Sequence, residues 1–315
     1  MKIISSDCIK SLNISPAQCV DWVKESFGVK NKAQLPAKIS LHPQGNDFFN
    51  TMPCFLPDPY HKFGVKEVRR VLGAVPALSS DYLLYDSKNG ELLAFMDCDW
   101  ITTMRTGAVA TLATQIFRKT DAATYGFIGL GNTARATLLC LLDSEPDKKH
   151  RVLLLKYKNQ AELFMERFSS FSNVKFDVIE STAELISASD VVYSCITDAD
   201  GLLCEDLSYF RPGILVVPVH TRGFQNCDCV FDKVFADDTA HVKGFRYFEQ
   251  FRNYGEIADV MSGEIRGREN DEERILSYNI GLGLHDLVYA SKIYEMLKDH
   301  VDEYMMKRET DKFWI

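Results

Sequence analysis

The 315-residue sequence lacks three features that would fix its class at once: a long apolar run, an excess of basic charge and a cysteine framework. No run of 18 apolar residues occurs, so we expect no transmembrane helix. The formal net charge is −8, and nucleic acid is therefore not expected as the main partner, because phosphate recognition needs a basic face. A small anionic substrate stays compatible, since it needs only a few local cations.

The nine cysteines are odd in number and scattered, and several lie in apolar runs, such as Cys140 in LLCLL. This pattern favours buried reduced thiols over disulfides. Cys227 and Cys229 form a C-x-C pair, but no second pair or nearby histidine completes a tetrahedral set, so we predict no metal site. The first residues, MKIISSDCIKSLN, are polar where a signal peptide is apolar, and we expect a cytoplasmic protein.

The order of apolar stretches predicts two domains. Residues 36–100 are typical of β-structure, and Asn89-Gly90 between two apolar stretches predicts a hairpin. From Thr124 onward, strand-like stretches alternate with helix-like ones, which indicates a parallel sheet with helices on both faces. We therefore predict an α/β protein: a Rossmann-type, doubly wound parallel sheet over residues 116–287, and a smaller α+β domain formed by residues 1–115 and 288–315.

Three helices are predicted from apolar spacing and capping residues. Ser15-Pro16 opens the first, and ITTMRTGAVATLATQIF predicts a second from Thr103 to Phe117, where threonines can cap the start and small side chains allow close packing. The segment from Asn279 to Met306 predicts a long amphipathic helix. Within it His285 stands beside Asp286, and because neighbours on a helix point apart, we expect His285 on the helix surface or in a cap.

The stretch GFIGLGNTA places Gly129, Gly131 and Ala134 as G-x-G-x-x-A between a strand and a helix. The first glycine permits a tight turn, the second lets a pyrophosphate approach the backbone, and the small third residue lets the helix pack closely. Such a motif alone is weak, but its place at the head of a strand–helix series predicts a dinucleotide site. The cofactor contacts we expect here are Gly129, Gly131, Asn132, Thr133, Ala134 and, after a later strand, Thr197.

The second strand of this series ends in LLLKYKN, without the acidic residue that commonly holds the ribose 2′-hydroxyl of NAD. Lys156 and Lys158 stand there instead, and two ammonium groups suit a 2′-phosphate. The cofactor is therefore expected to be NAD(P)H, with NADPH favoured. The alternative is that both lysines are ordinary solvated surface charges.

Three stretches together resemble the ornithine cyclodeaminase/mu-crystallin family: FMDCDWITTMRTGAVATLATQIF, GFIGLGNTA and IGLGLHDLVYASKIY. The shorter FGVKEV and LPAKIS add two matches, and all fall in family order from about Leu35 to Tyr294. The resemblance implies an NAD(P)(H)-dependent enzyme that acts at the α-carbon of a small amino or imino acid. It also implies that the N-terminal third forms most of a substrate-binding and dimerisation domain, and that the protein is a homodimer.

Residue roles follow from the same resemblance. Lys66 matches a lysine that faces the substrate, and Arg105 matches an arginine that grips the substrate carboxylate. We expect Arg105 in the first turn of a helix, where free N–H groups also favour an anion. Lys38 falls where many members bind that carboxylate, Thr106 is expected to cap the helix or contact a cofactor phosphate, and Asn279 matches a position near the nicotinamide ring. The competing interpretations are a solvated charge run for Lys66 and a surface ion pair for Arg105.

The chain departs from the cyclodeaminase pattern in VVPVHTRGF. Aligned on that pattern, His220 takes the place of the acid/base aspartate that attracts the side-chain amine, and Arg222 takes the place of a proline. Histidine offers no fixed negative charge, so ornithine is in doubt as the substrate, yet it is a competent proton donor near pH 7. His220 is thus a candidate acid/base, and Arg222 a candidate contact for a second acidic group on the substrate.

Three functions stay open at this point. The first is an imine (ketimine) reductase or an amino-acid or opine-type dehydrogenase. The second is a cyclodeaminase, a lyase that converts ornithine to proline and ammonia with a relocated acid such as Asp228. The third is a mu-crystallin-like binding protein without turnover, against which the presence of Lys66, Arg105 and the glycine loop argues.

Overall fold

The computed structural model describes residues 1–307, 309 and 311. The chain divides into two compact units, the first of Met1–Asn13, Lys32–Ile101 and Asp286–Ile315, and the second of Ile14–Asn31 and Thr102–His285. Residues 308, 310 and 312–315 of the predicted 288–315 segment lie outside the described residues.

The helices and strands are named here in chain order. They are β1 (Lys2–Ile4), α1 (Ser6–Ser11), α2 (Pro16–Gly28), β2 (Ile39–Leu41), β3 (Phe48–Leu56), β4 (Lys62–Arg70), β5 (Leu78–Asp86), β6 (Leu92–Asp97), α3 (Asp99–Phe117), β7 (Thr124–Ile128), α4 (Asn132–Ser144), β8 (His150–Leu155), α5 (Gln160–Arg167), β9 (Val174–Ile179), α6 (Thr182–Ala188), β10 (Val191–Ser194), β11 (Leu215–Pro218), β12 (Lys233–Ala236), α7 (Thr239–Val242), β13 (Gly255–Glu256), α8 (Ile257–Ser262), β14 (Ile275–Tyr278) and α9 (Gly283–Leu297).

The first unit contains a six-stranded sheet in the order β1-β6-β5-β4-β3-β2. β1 runs parallel to β6, and the other neighbours are antiparallel, including the predicted hairpin of β5 and β6. Side chains alternate between the two faces, as the period of two requires. One face is buried and carries Tyr82, Leu84, Ala94 and Met96. Lys66 lies on this buried face, directly opposite Tyr82 in the ladder.

The second unit contains an eight-stranded parallel sheet in the order β13-β12-β14-β11-β10-β7-β8-β9. Each neighbouring pair is parallel, which confirms the predicted doubly wound, Rossmann-type sheet. The chain builds outward from β7 through β8 to β9, then returns to β10 on the other side of β7. The carboxyl ends of β7 and β10 therefore flank the switch point, where open sheets of this kind bind ligands.

Two segments lie in the second unit although the sequence-based boundaries placed them with the first domain. These are residues 14–31, which carry α2, and residues 102–115 of α3. The main packing partners of α2 are α4 and α8. In α3, Gly107 lies so close to α4 that a Cβ there would approach the backbone of Ala136 to 2.5 Å. The small side chains of α3 thus allow the close packing that was expected from them.

The helix predictions are correct in place but not in extent. α2 begins at Pro16, and Ser15 caps it by accepting from the Gln18 N–H, as predicted. α3 begins at Asp99, four residues earlier than expected, and the Asp97 carboxylate accepts the Asp99 N–H at 3.1 Å. The predicted tail helix is too long, because α9 ends at Leu297, and its predicted amphipathic character is wrong, because every residue from Leu284 to Ser291 is buried.

The described residues include all of the helices named above and every cysteine of the chain. None of the described helices is long and apolar enough to cross a membrane. All nine cysteines fall within the described part of the chain, where none of them forms a disulfide, and six are buried.

Candidate active site

The glycine loop joins β7 to α4 at the switch point. Gly129 has a φ of +83°, and a Cβ there would approach the Cys195 backbone to 2.9 Å, so both the turn and the neighbouring strand require glycine. At Gly131 a Cβ would meet nothing within 4 Å. Gly131 is also the N-cap of α4, and no side chain caps that helix. A helix start without a side-chain cap, with open space beside its N-cap residue, suits a phosphate.

Asn279 follows β14 and is buried, and its N–H donates to the Pro218 carbonyl at the end of β11 at 3.0 Å. Its Oδ1 lies 3.5 Å from the Ser277 hydroxyl, and its Nδ2 has no hydrogen-bond partner among the described residues. A buried donor without a partner is costly unless a ligand satisfies it. The carboxamide of a nicotinamide ring offers such an acceptor. Together with the open glycine loop, Asn279 shows that the residues of this unit fit a nicotinamide dinucleotide.

His220 lies just after β11, next to the end of β10. Its Nε2 is 2.7 Å from the Ser194 hydroxyl, and its Nδ1 accepts the Arg222 N–H at 3.3 Å. Burial, followed by the positive charge of Arg222, lowers the pKa of His220 from 6.5 to about 4. An acceptor at Nδ1 fixes the neutral tautomer with its proton at Nε2, where it can donate to Ser194. His220 is therefore neutral near pH 7, which argues against the expected role of resting proton donor.

Arg222 is exposed and forms an ion pair with Asp198 in the loop after β10. Its guanidinium is thus already matched by a carboxylate, which weakens the hypothesis that it receives a second acidic group of the substrate. Thr197, next to Asp198, is exposed at the same edge of the sheet.

Arg105 lies in the second turn of α3, because that helix begins at Asp99. The expectation that free N–H groups of a first turn assist Arg105 is therefore wrong. The residue is buried, which excludes an exposed surface ion pair, and a Cβ on Gly281 would overlap its guanidinium. Thr106 is also inside the helix, where its hydroxyl donates to the Thr102 carbonyl at 2.7 Å, so it caps nothing.

Lys66 forms an ion pair with Asp286 in the first turn of α9, with 2.6 Å between Nζ and Oδ2. Both side chains are 0% exposed, so the alternative of a solvated charge run is excluded for Lys66. Sequence reasoning missed Asp286 as a functional residue. The available signal was a lone acid at the start of an apolar helix, which burial would force into a pair. Lys38 lies just before β2 and is half-buried, and β3 separates β2 from β4, which carries Lys66.

His285 and Asp286 do point apart, as helix geometry requires, but neither is on the surface. His285 is fully buried, and its Nδ1 lies 2.5 Å from the hydroxyl of Ser26 in α2. The Phe27 ring also packs on the imidazole in a T-shaped arrangement, with 4.7 Å between ring centroids. The expected surface or capping position of His285 is therefore wrong.

Lys156 and Lys158 lie in the loop after β8. Lys156 is exposed and pairs with Glu180, which follows β9, at 2.5 Å, and this carboxylate raises the pKa of the lysine. Lys158 has a φ of +50°, and its ammonium lies 5.2 Å from the centre of the Tyr157 ring. Both positive charges are thus at the carboxyl end of β8, where the adenosine ribose of a bound dinucleotide is expected.

Asp228, the alternative acid, is fully buried and accepts a 2.6 Å hydrogen bond from the Tyr278 hydroxyl. Burial raises its pKa to about 6. Its neighbours Phe224, Cys227 and Phe231 belong to the apolar core under β11 and β14, so Asp228 is part of the core. Within the described residues no group of three metal-ligating side chains occurs, including around Cys227 and Cys229.

A sequence model of the ornithine cyclodeaminase/mu-crystallin family matches residues 3–300. The chain belongs to this family. The resemblance drawn from its motifs is thereby confirmed. The nodulation efficiency protein NfeD of Rhizobium meliloti is 25% identical over 274 residues, which cover 83% of this chain and 83% of that protein.

Two further relatives of this ornithine cyclodeaminase/mu-crystallin family protein are reductases. The Δ1-pyrroline-2-carboxylate reductase of Bacillus cereus is 28% identical over 226 residues, which are 68% of this chain and 69% of that protein. The structure of the Thermococcus litoralis Δ1-pyrroline-2-carboxylate reductase in complex with NADH and L-proline superposes with a TM-score of 0.83. It is 24% identical and covers 97% of this chain and 100% of its own, which confirms the fold class.

Proposed function

We propose that the protein reduces a small cyclic α-imino acid, of the Δ1-pyrroline-2-carboxylate class, to the amino acid with NAD(P)H. The observation that carries this choice is the state of His220. A neutral imidazole at this strand end gives no electrostatic attraction to the side-chain ammonium of ornithine, whereas a cyclic imino acid has no such group. Two relatives named as reductases of this substrate support the choice.

The proposed reaction adds a hydride to the imine carbon and a proton to the imine nitrogen. The nicotinamide dinucleotide, when bound, supplies the hydride. The glycine loop and the N-terminus of α4 would hold its phosphates, and Asn279 would bind the nicotinamide carboxamide. Arg105 binds the α-carboxylate. Lys66, as an ammonium paired with Asp286, contacts the substrate and donates the proton to nitrogen.

A substrate panel tests this function directly. Nucleotide consumption is followed with Δ1-pyrroline-2-carboxylate, with its six-membered homologue and with pyruvate plus ammonia. We expect the cyclic imino acids to be reduced and ornithine with catalytic NAD⁺ to yield no proline. Proline and ammonia from ornithine would establish the lyase instead, and tight nucleotide binding without any turnover would favour the binding protein.

The pH profile separates Lys66 from His220 as the proton donor. If protonated His220 were the acid, a pKa of about 4 means that its active fraction would fall tenfold for each pH unit above that value, to about 10⁻³ at pH 7. We expect no such decline between pH 5 and 8. His220→Gln, which keeps a donor and an acceptor, should leave the shape of kcat/KM against pH unchanged. If kcat/KM of the wild type falls with pH and this fall disappears in His220→Gln, His220 would be the proton donor.

We also propose that NADPH is the preferred cofactor, bound at its 2′-phosphate by Lys156 and Lys158. Glu180 competes for Lys156, so Glu180→Gln should strengthen NADPH binding relative to NADH, and Lys156→Ala should weaken it, each by about tenfold, the value of one charge-assisted contact. Fluorescence titration of both nucleotides measures the ratio. Lys149→Ala, an exposed lysine at the opposite end of β8, is the control. Tighter NADH than NADPH binding in the wild type would contradict the proposal.

The expected homodimer is proposed to form through the outer face of the six-stranded sheet. An apolar row crosses that sheet in register: Ile3, Phe95, Leu83, Val65 and Pro53. Val65 precedes Lys66, so the row lies on the face opposite to the buried one, and Ile3 and Phe95 are exposed large apolar residues. Light scattering should give twice the chain mass, falling to the single-chain mass in Phe95→Asp. A wild type of single-chain mass would contradict the homodimer.

A further inference from the structure

A fully buried carboxylate, Asp237, lies directly after β12 and has no part in the chemistry proposed above. Its own N–H continues the sheet ladder by donating to the Tyr278 carbonyl at 3.0 Å. Burying an ionised carboxylate is expensive unless hydrogen bonds compensate it. The hydrogen-bond partners of Asp237 therefore indicate which part of the chain this carboxylate holds in place.

Among the described residues, two groups donate to this carboxylate. The Gly281 N–H bonds Oδ2 at 2.5 Å, and His241 Nδ1 lies 3.3 Å from Oδ1. Burial by itself would raise the pKa of Asp237, but the bonds from His241 and Gly281, with His285 nearby, hold it below the ordinary value. Asp237 thus stays ionised and anchors a piece of irregular backbone between β14 and α9.

That backbone carries two of the residues on which the proposed function depends. Asn279, with its unpartnered Nδ2, is tied at one end through its N–H to Pro218, and Gly281 is tied at the other end to Asp237. Gly281 has a φ of +96°, which favours glycine, and a Cβ there would overlap the Arg105 guanidinium. The guanidinium therefore lies directly against the Gly281 backbone, and its position depends on where that backbone is held.

We propose that Asp237 is a positioning residue: by accepting the Gly281 N–H it fixes the Asn279–Gly281 segment, and it thereby places Arg105 for the substrate α-carboxylate. Asp237 touches neither substrate nor cofactor in this scheme. The inference rests on the proposed function. It deepens that function by naming a residue, not revealed by the sequence motifs, that holds the carboxylate-binding arginine in place.

The test compares Δ1-pyrroline-2-carboxylate with 1-pyrroline, the same ring without the carboxylate. In Asp237→Ala we expect the ratio of the two kcat/KM values to fall by about 10- to 100-fold, mainly through KM of the carboxylated substrate. Asp237→Asn keeps an acceptor oxygen and should recover most of the ratio. His241→Gln alters the other hydrogen bond of Asp237 and should behave as the wild type. Adding Asp237→Ala to Arg105→Ala should lower the ratio no further, because both remove one function.

A merely structural role would affect both substrates alike. A folded Asp237→Ala protein that keeps the wild-type ratio, or a further loss in the double variant, would overturn the inference. If Asp237→Ala does not fold, Gly281→Ala displaces the arginine from the other side, and an unchanged ratio there overturns it equally. If the wild type reduces neither imine, the proposed function fails by itself. The positioning role is then tested by calorimetric binding of pyrrole-2-carboxylate to the complex of the protein with nucleotide. No binding to the wild type, or equal affinity for the wild type and Asp237→Ala, would overturn the positioning role.

Discussion

Asp286→Asn is expected to lower the free energy of unfolding by about 3–5 kcal/mol, because it leaves the buried Lys66 ammonium without its carboxylate. The two charges are 2.6 Å apart and neither is exposed to solvent, so water cannot replace the lost partner. Urea denaturation measures the change. The same variant should lose most of its turnover, since Lys66 is the proposed proton donor.

The double variant Lys66→Met with Asp286→Leu separates the two effects. It removes both charges and replaces them by apolar side chains of similar size, so stability should return to near the wild-type value, while activity should not. Glu180→Gln, which breaks the exposed pair with Lys156, should leave stability unchanged and serves as the matched control. An Asp286→Asn protein as stable as the wild type would show that Lys66 is not buried with Asp286 in solution.

The second large effect is a difference between two glycines of the same loop, Gly131 and Gly129. Alanine at one should weaken nucleotide binding, and alanine at the other should lower stability. Gly131→Ala should leave stability unchanged, because the added methyl group meets nothing within 4 Å. It should nevertheless weaken nucleotide binding by at least about tenfold, since Gly131 is the N-cap of α4, where the phosphates are expected.

Gly129→Ala should behave in the opposite way. Its φ of +83° and the 2.9 Å approach to the Cys195 backbone make a methyl group costly, by about 1–3 kcal/mol, before any nucleotide is added. Thermal unfolding with and without nucleotide measures both variants. Equal stability losses in the two variants, or full nucleotide affinity in Gly131→Ala, would contradict this account of the loop.

The sequence by itself determined the fold class, the family and the glycine loop. The fold class and the loop depend on local rules: strand and helix periods, turn residues, and the short spacing of G-x-G-x-x-A. The family rests on the resemblance of the chain's motifs to those of known members. The hairpin at Asn89-Gly90 and the helix after Ser15 were predictable for the same reason, because the residues that decide them are adjacent in the chain.

The state of the site residues depended on burial and on contacts that only folding creates. In the sequence, Lys66 is one of several charges in KEVRR. Its burial, paired with Asp286, is visible only in the folded structure. His220 looks like an ordinary titrating histidine until burial and Arg222 lower its pKa to about 4. The tail helix was mistaken for amphipathic because sequence periodicity does not show how many of its faces will be covered.

The sequence therefore determined the fold class and the family, and the tertiary structure decided which side chains of the site can be charged. Charge in a protein interior is set by the distance to a partner and by exclusion of water, and both are properties of residues brought together by folding. Lys66 with Asp286, neutral His220, and Asp237 under Gly281 are the three results that required the folded structure.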